Sequence, residues 1–254
     1  MASSVYEQAL AKCDWAEQHI HNLKVVMDSF RKANPRPVGK KQNAETGDVT
    51  YYVQQVPVIP GEVPLIVGDI LHNLRCALDY VACGLVGDGN ITSKTKFPIR
   101  RDAEDWEVSG LRMVDGASKD AIEALRRIRP YERGNAILYV LHALNNIDKH
   151  RLLLIVTLRN IARTMSEGEQ VVGELLDKEG TIFAGDGFPK VPLYAGQELL
   201  TVSAAQAQKD MGFLFQIAFA ESCSAKGMPI LVTLKLASDT VRKTVRELAP
   251  FMPH

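Results

Sequence analysis

From Tyr6 onward, apolar or small residues fall at Tyr6, Ala9, Cys13, Ala16, Ile20, Leu23, Met27 and Phe30. The steps of three and four put them on one stripe of a long helix. Ser3 or Ser4 can cap its start, and "NPRP" stops it. Val67, Leu71, Leu74, Leu78, Val81 and Leu85 repeat the alternation. Two stripes of the same length scale are expected to pack along each other at a shallow angle.

Residues 31–63 form a proline- and glycine-rich excursion between these helices, with a β-like "VTYYVQQVPVI" inside it that reads as an edge hairpin. After the second helix, "GDGNITSKTKFPI" reads as loop and "AEDWEV" as a short helical turn. "SKDAIEALRRI" reads as a helix ended by Pro130, and "RGNAILYVLHALNNIDK" as a further helix. Beyond Arg151, "LLLIVTL", "EQVVGELL", "ELLTV", "GFLFQIAFA" and "PILVTLKL" are strand-length runs rich in β-branched or aromatic residues. A last helix is expected after Ser238, with Val241, Val245 and Leu248 on its buried side. The expected class is α+β: a helical bundle over 1–150, then a mostly antiparallel β-rich region over 151–254 with the C-terminal helix packed on it.

Composition narrows the classes. A chain of 254 residues with 46% hydrophobic content folds around a substantial core. Thirty Lys plus Arg balance thirty Asp plus Glu, so no global field draws it to nucleic acid or an anionic membrane. There is no basic leader followed by an apolar run and no apolar stretch of membrane-spanning length, so a cytoplasmic protein without membrane contact is expected. The four cysteines include no C-x-x-C pair and are expected to be free thiols.

The chemistry concentrates on two helices. Opposite the leucine stripe, "GDILHNLRCALDYVACGL" collects Asp69, His72, Cys76, Asp79 and Tyr80, with Asn73 and Arg75 at the margins. These are side chains that make directional contacts. In "NNIDKHRLLLIV" the polar residues Asn145, Asn146, Asp148, Lys149, His150 and Arg151 run straight into an apolar stretch. If the two helices are neighbours, Asn145, Asp148, His150 and Arg151 meet His72, Arg75 and Asp79 in a half-buried network where charges must pair. Such a network either forms a site or only fixes helix register at the helix-to-strand junction.

The pair "GDILHNLRCALDY" and "LNNIDKHRLLL", with "FPI" between them, resembles a family of uncharacterised bacterial proteins over roughly the N-terminal two-thirds of the chain. The helical half also resembles the HEPN superfamily, helical-bundle proteins of bacterial defence and toxin systems. Many of these are metal-independent ribonucleases that work as dimers, so the resemblance implies RNA and a second copy or another protein as partners. The HEPN motif is an Arg followed four to six residues later by His; "RCALDY" offers Arg75 with Tyr80 in the place of that His. Tyr is a poor general base at neutral pH, so a nuclease would recruit His72 or His150, with Arg75 and Arg151 stabilising the phosphorane.

Asp69 and His72 form D-x-x-H, which His142, Asp148 or His150 would have to complete as a metal shell, but no second carboxylate/x-x-H pair exists. No metal or other cofactor is therefore expected. The basic runs "RKANPRPVGKK" and "RRIRPYER" fit phosphate contacts or solvated loop and helix ends. There is no P-loop, G-x-G-x-x-G, G-x-S-x-G or H-E-x-x-H. Two readings follow: a binding or regulatory module with an interhelical polar site, and a HEPN-like metal-independent ribonuclease. They differ in one observable, since a nuclease needs an open basic groove around Arg75 and Arg151, whereas a register-setting network is sealed and charge-neutral.

Overall fold

A computed structural model describes residues 4–34, 38–153, 155–164, 194–205, 211–220 and 223–252. The first helix, α1 (Val5–Ala33), begins with a reciprocal cap. Ser4 Oγ accepts from the Glu7 amide at 3.2 Å, and Glu7 Oε2 accepts from the Ser4 amide at 2.8 Å. Its stripe is buried from Ala9 through Phe30 as the spacing predicts, with Tyr6 half-buried at the start. α2 (Glu62–Val86) packs along α1 in the largest helix contact of the fold. Gly87, at φ 75°, lets the chain leave α2 in a backbone conformation that other residues rarely adopt.

Three short or medium helices follow: α3 (Ala103–Asp105), α4 (Lys119–Ile128) and α5 (Ala136–Asp148). Side chains of Asp102, Ser118 and Asn135 cap them in turn. After α3, a π-helical turn (Trp106–Gly110) buries Trp106, whose Nε1 donates to the Pro98 carbonyl at 2.7 Å. That bond ties the "FPI" segment to the core.

The β structure lies in two pieces. β1 (Val38–Gln42) and β2 (Val49–Val53) make the expected antiparallel hairpin. The hairpin lies at the edge of a three-stranded sheet: β1 is an outer strand, and β4 (Glu198–Val202) pairs antiparallel with the other side of β2, with Val49 opposite Val202. Thr50 and Thr201 share a hydroxyl hydrogen bond of 2.9 Å across that pairing. β3 (Ile155–Thr164) and β5 (Met211–Phe219) form a second antiparallel pair, in which Ile155 faces Phe219. The segment "EQVVGELL", expected as a strand, lies outside the described residues.

The C-terminal part corrects two expectations. "PILVTLKL" is not a strand: α6 runs from Ile230 to Leu248, starting at Pro229 as N-cap and well before Ser238. Ile230, Leu234, Ala237, Val241, Val245 and Leu248 share its buried side, and this helical spacing prevails over the β-branched composition of the first turns. Among the described residues, α6 packs mainly on α1 and α2, with a smaller contact to β5. Lys235 Nζ bonds Glu17 Oε1 at 2.8 Å, Ser238 Oγ donates to Glu17 Oε2 at 2.8 Å, and Arg242 reaches Asp14 at 2.8 Å. The architecture is α+β, with one apolar core shared by α1, α2, α5 and α6.

Candidate functional site

The polar residues of α2 divide by depth. Arg75 is 4% exposed, although it carries a charge. Burying a guanidinium is tolerable only if it is paired and hydrogen-bonded. Its Nη2 donates to Asp79 Oδ1 at 2.8 Å and to the Phe97 carbonyl at 2.8 Å, and its Nε reaches Asp79 Oδ2 at 3.3 Å. The Phe97 amide returns a bond to Asp79 Oδ1 at 2.9 Å. Arg75 and Asp79, one turn apart on α2, therefore clamp the backbone of the "FPI" segment.

Further along α2 the groups come nearer the surface. Asp69 and His72 are exposed, and the His72 ring lies 3.4 Å from Cys76 Sγ through Nε2. Burial raises the Cys76 thiol above its ordinary value, which keeps it protonated and a weak nucleophile. Asn73 is buried at the α1 contact: its Oδ1 accepts from Lys12 Nζ at 3.0 Å, and its Nδ2 donates to the Asp69 carbonyl at 2.8 Å. Tyr80 is half-buried against the apolar core.

α5 meets α2 across a seam in which Gly68 lies against Asp148. A Cβ there would lie 2.6 Å from Asp148 Oδ2 and 2.7 Å from Oδ1, so the glycine makes room for that carboxylate. This contact joins the two sequence motifs. Burial, then the neighbouring Asp69 charge, pushes the Asp148 carboxyl above its ordinary value, with His72 acting against them. Asp148 also ends α5, where the helix dipole disfavours an anion.

On the same helix Asn145 is 2% exposed, while Asn146 is exposed and its Nδ2 lies 3.0 Å from His142 Nε2. Burial, reinforced by the positive charges of Arg75, Lys149, Lys96 and Arg100, pushes His142 from its ordinary value of 6.5 down to about 4. The ring is neutral at pH 7. With its amide nitrogen toward the ring, Asn146 donates to Nε2.

The expected single network is thus two arrangements. Arg75 turns to Asp79 and not to Asp148, which faces Gly68 and feels Asp69 and His72. Lys149, His150 and Arg151 are exposed in the turn after α5, where the His150 and Arg151 amides both bond the Ile147 carbonyl. His142 is the residue that motif reading undervalued. Its position three residues before the buried Asn145, on the same side of α5, is the signal that would have found it.

Among the described residues, no group of three or more His, Cys, Asp or Glu is placed to hold a metal ion, and no helix is long and apolar enough to cross a membrane. Much of the basic runs is engaged within the chain. Arg126 bridges Glu107 and Glu123, Arg129 Nε donates to the Tyr131 hydroxyl at 3.0 Å, and Lys41 pairs with Glu198. A cleft of ≈ 650 Å³ between α4 and α6, with Arg127, Lys243 and Glu247 on its walls, contains none of the α2–α5 polar residues. No protein-family model, curated protein or solved structure matches the chain, so the reading of its site rests on its own residues.

Proposed function

We propose that the chain is a binding or regulatory module whose ligand-facing rim lies over the α2–α5 seam, with His72, Cys76, Asn146, Asp148 and Lys149 around it. The supporting observation is the state of Arg75. A metal-free ribonuclease must bring a cation to the phosphorane from an open groove. Arg75 is instead sealed, with Asp79 neutralising it and the Phe97 carbonyl filling another of its donor positions. Holding a carboxylate at Asp148 against burial, a like charge and the helix dipole also fits a surface shaped for contact better than one shaped for stability.

The test is incubation of the purified protein with RNA in EDTA. The proposal expects no cleavage above the buffer rate. Cleavage by the wild type that disappears in His142→Asn or Arg151→Ala, with the circular dichroism spectrum unchanged, overturns it in favour of the HEPN-like nuclease.

A further inference from the structure

The cleft of ≈ 650 Å³ lies toward the C-terminal ends of α4 and α6, away from the α2–α5 seam. Ala124, Arg127 and Ile128 line it from one side of α4, at steps of three and four. The wall that carries Arg127 ends in a strained turn. Arg129, at φ 54°, is the one non-glycine residue with a positive φ among the described residues. Its carbonyl accepts from the Asn135 amide at 2.8 Å, and that bond folds Asn135 back to the cleft beside Ile128. A Cβ on Gly134 would strike the same carbonyl, so the chain turns here too tightly for another residue. Strain of this kind persists only where its surroundings hold it, and it gathers at ligand sites.

The charges around the cleft do not cancel. On α6, Lys243 Nζ stands 3.7 Å from Glu247 Oε1, so these two offset each other. Arg127 has no ion pair among the described residues, whereas its neighbour Arg126 is held by Glu107 and Glu123. One uncompensated guanidinium remains, and its planar fork matches the two oxygens of a carboxylate. A dianion would set a second negative charge against Glu247. The helix-end carbonyls, which would oppose an anion, are partly occupied: the Arg129 amide bonds the Leu125 carbonyl at 3.1 Å, and the Ala249 amide bonds that of Val245. The rest of the lining is mixed. Ala124 is buried and Ile128 and Phe251 are half-buried, while the Thr240 and Thr244 hydroxyls make no hydrogen bond among the described residues.

We propose that the α4–α6 cleft binds a small organic monocarboxylate with an apolar body. Arg127 holds the carboxylate, Ala124, Ile128 and Phe251 cover the body, and the two threonine hydroxyls stand beside it. Lys243 screens the one opposing charge, Glu247. The volume lies within the range of small-molecule sites, about 300–1,000 Å³. This site is separate from the α2–α5 rim, and the outcome with RNA in EDTA has no bearing on it.

The experiment follows the Ile128 methyl signals by NMR during titration with 3-phenylpropanoate, 3-phenylpropan-1-ol, acetate and phenylalanine, at pH 7 and constant ionic strength. 3-Phenylpropanoate is expected to shift them saturably. The alcohol, which lacks the charge, and acetate, which lacks the body, are each expected to bind about tenfold more weakly. Arg127→Gln is expected to weaken 3-phenylpropanoate about tenfold, and Glu247→Gln to tighten it about threefold by removing the opposing charge. Both side chains are exposed, so both variants should keep the dispersed spectrum of the wild type. A wild-type spectrum that does not respond to 3-phenylpropanoate overturns the proposal. So does an alcohol or acetate that binds as tightly as the acid, or an Arg127→Gln variant that binds like the wild type. Phenylalanine binding tighter than 3-phenylpropanoate also overturns it, in favour of a zwitterion whose ammonium group Glu247 holds.

Discussion

α2 presents two seams that obey different rules. Toward α1 the helix joins an apolar core that includes Ala9, Cys13, Ala16 and Leu23 of α1 and Val67, Leu71, Leu74 and Leu78 of α2, with Gly84 close to Val5 and Lys12 bonded to Asn73 between the two helices. Toward α5 and the "FPI" segment it buries Arg75, and three of the four unpaired buried side-chain atoms among the described residues belong to α2 and α5, on Arg75, His142 and Asn145. The first seam is held by area removed from water and tolerates changes that conserve volume. The second depends on bonds that are either made in full or leave desolvated charge behind. One helix thus carries a stability seam and a seam with unused hydrogen-bonding capacity.

The largest test of that contrast is Leu74→Asp. A carboxylate placed where Leu74 is wholly buried should unfold the helical half, a loss of more than about 4 kcal/mol, visible as collapse of the helical circular dichroism signal. Arg75→Ala acts on the other seam and should lower stability by about 3 kcal/mol in urea unfolding, because Asp79 and the Phe97 carbonyl lose their common partner. A double-mutant cycle sharpens the point: Arg75 with Asp79 should couple, while Arg75 with Asp148 should be additive. Coupling between Arg75 and Asp148 would merge the two polar arrangements into one.

Protonation provides a third test, on the polar seam alone. The folded-state pKa of His142, about 4, lies below the ordinary 6.5, so the unfolded chain takes up the proton first as pH falls. Stability from this residue is full above about pH 6.5 and declines down to about pH 4, by up to about 3 kcal/mol. His142→Phe should flatten that slope in unfolding measurements across the same range. Asp148 works in the opposite sense: its raised carboxyl favours the fold as pH drops through the acid range.

The mildest perturbation is Gly68→Ala. It gains helix propensity but drives a methyl into the Asp148 carboxylate, for a net loss of about 1 kcal/mol. Adding Asp148→Ala should reverse the sign of the Gly68→Ala effect. A Gly68→Ala penalty that persisted in that background would place the obstruction elsewhere in the seam.

The same contrast explains what was legible in the sequence. The α1–α2 seam could be read directly, because burial of side chains spaced by three and four leaves a pattern along the chain. The i,i+4 spacing of Arg75 and Asp79 was visible too, but the closing partners were not. They are backbone groups of Phe97, and a carbonyl has no residue type. The proximity of Asp148 to α2 was expected, whereas its actual neighbour, Gly68, offers no side chain to suggest the contact. In α6 the opening "ILVTLKL" has the composition of a strand, and only packing against α1 and α2 selects the helix. β4 reads correctly as a strand, yet its pairing with β2 joins segments too distant for local patterns to connect.

Because α6 completes the bundle begun by α1 and α2, the ribosome makes the cover long after it makes the surface to be covered. During synthesis the helical hairpin emerges with the apolar side meant for Ile230, Leu234, Val241 and Val245 still wet. Docking closes a contact of high sequence separation and must wait until residues 230–248 have been made, an interval in which exposed apolar surface favours aggregation. A nascent chain halted before Ile230 would be a natural client for holding chaperones, and release would follow once α6 cleared the exit tunnel.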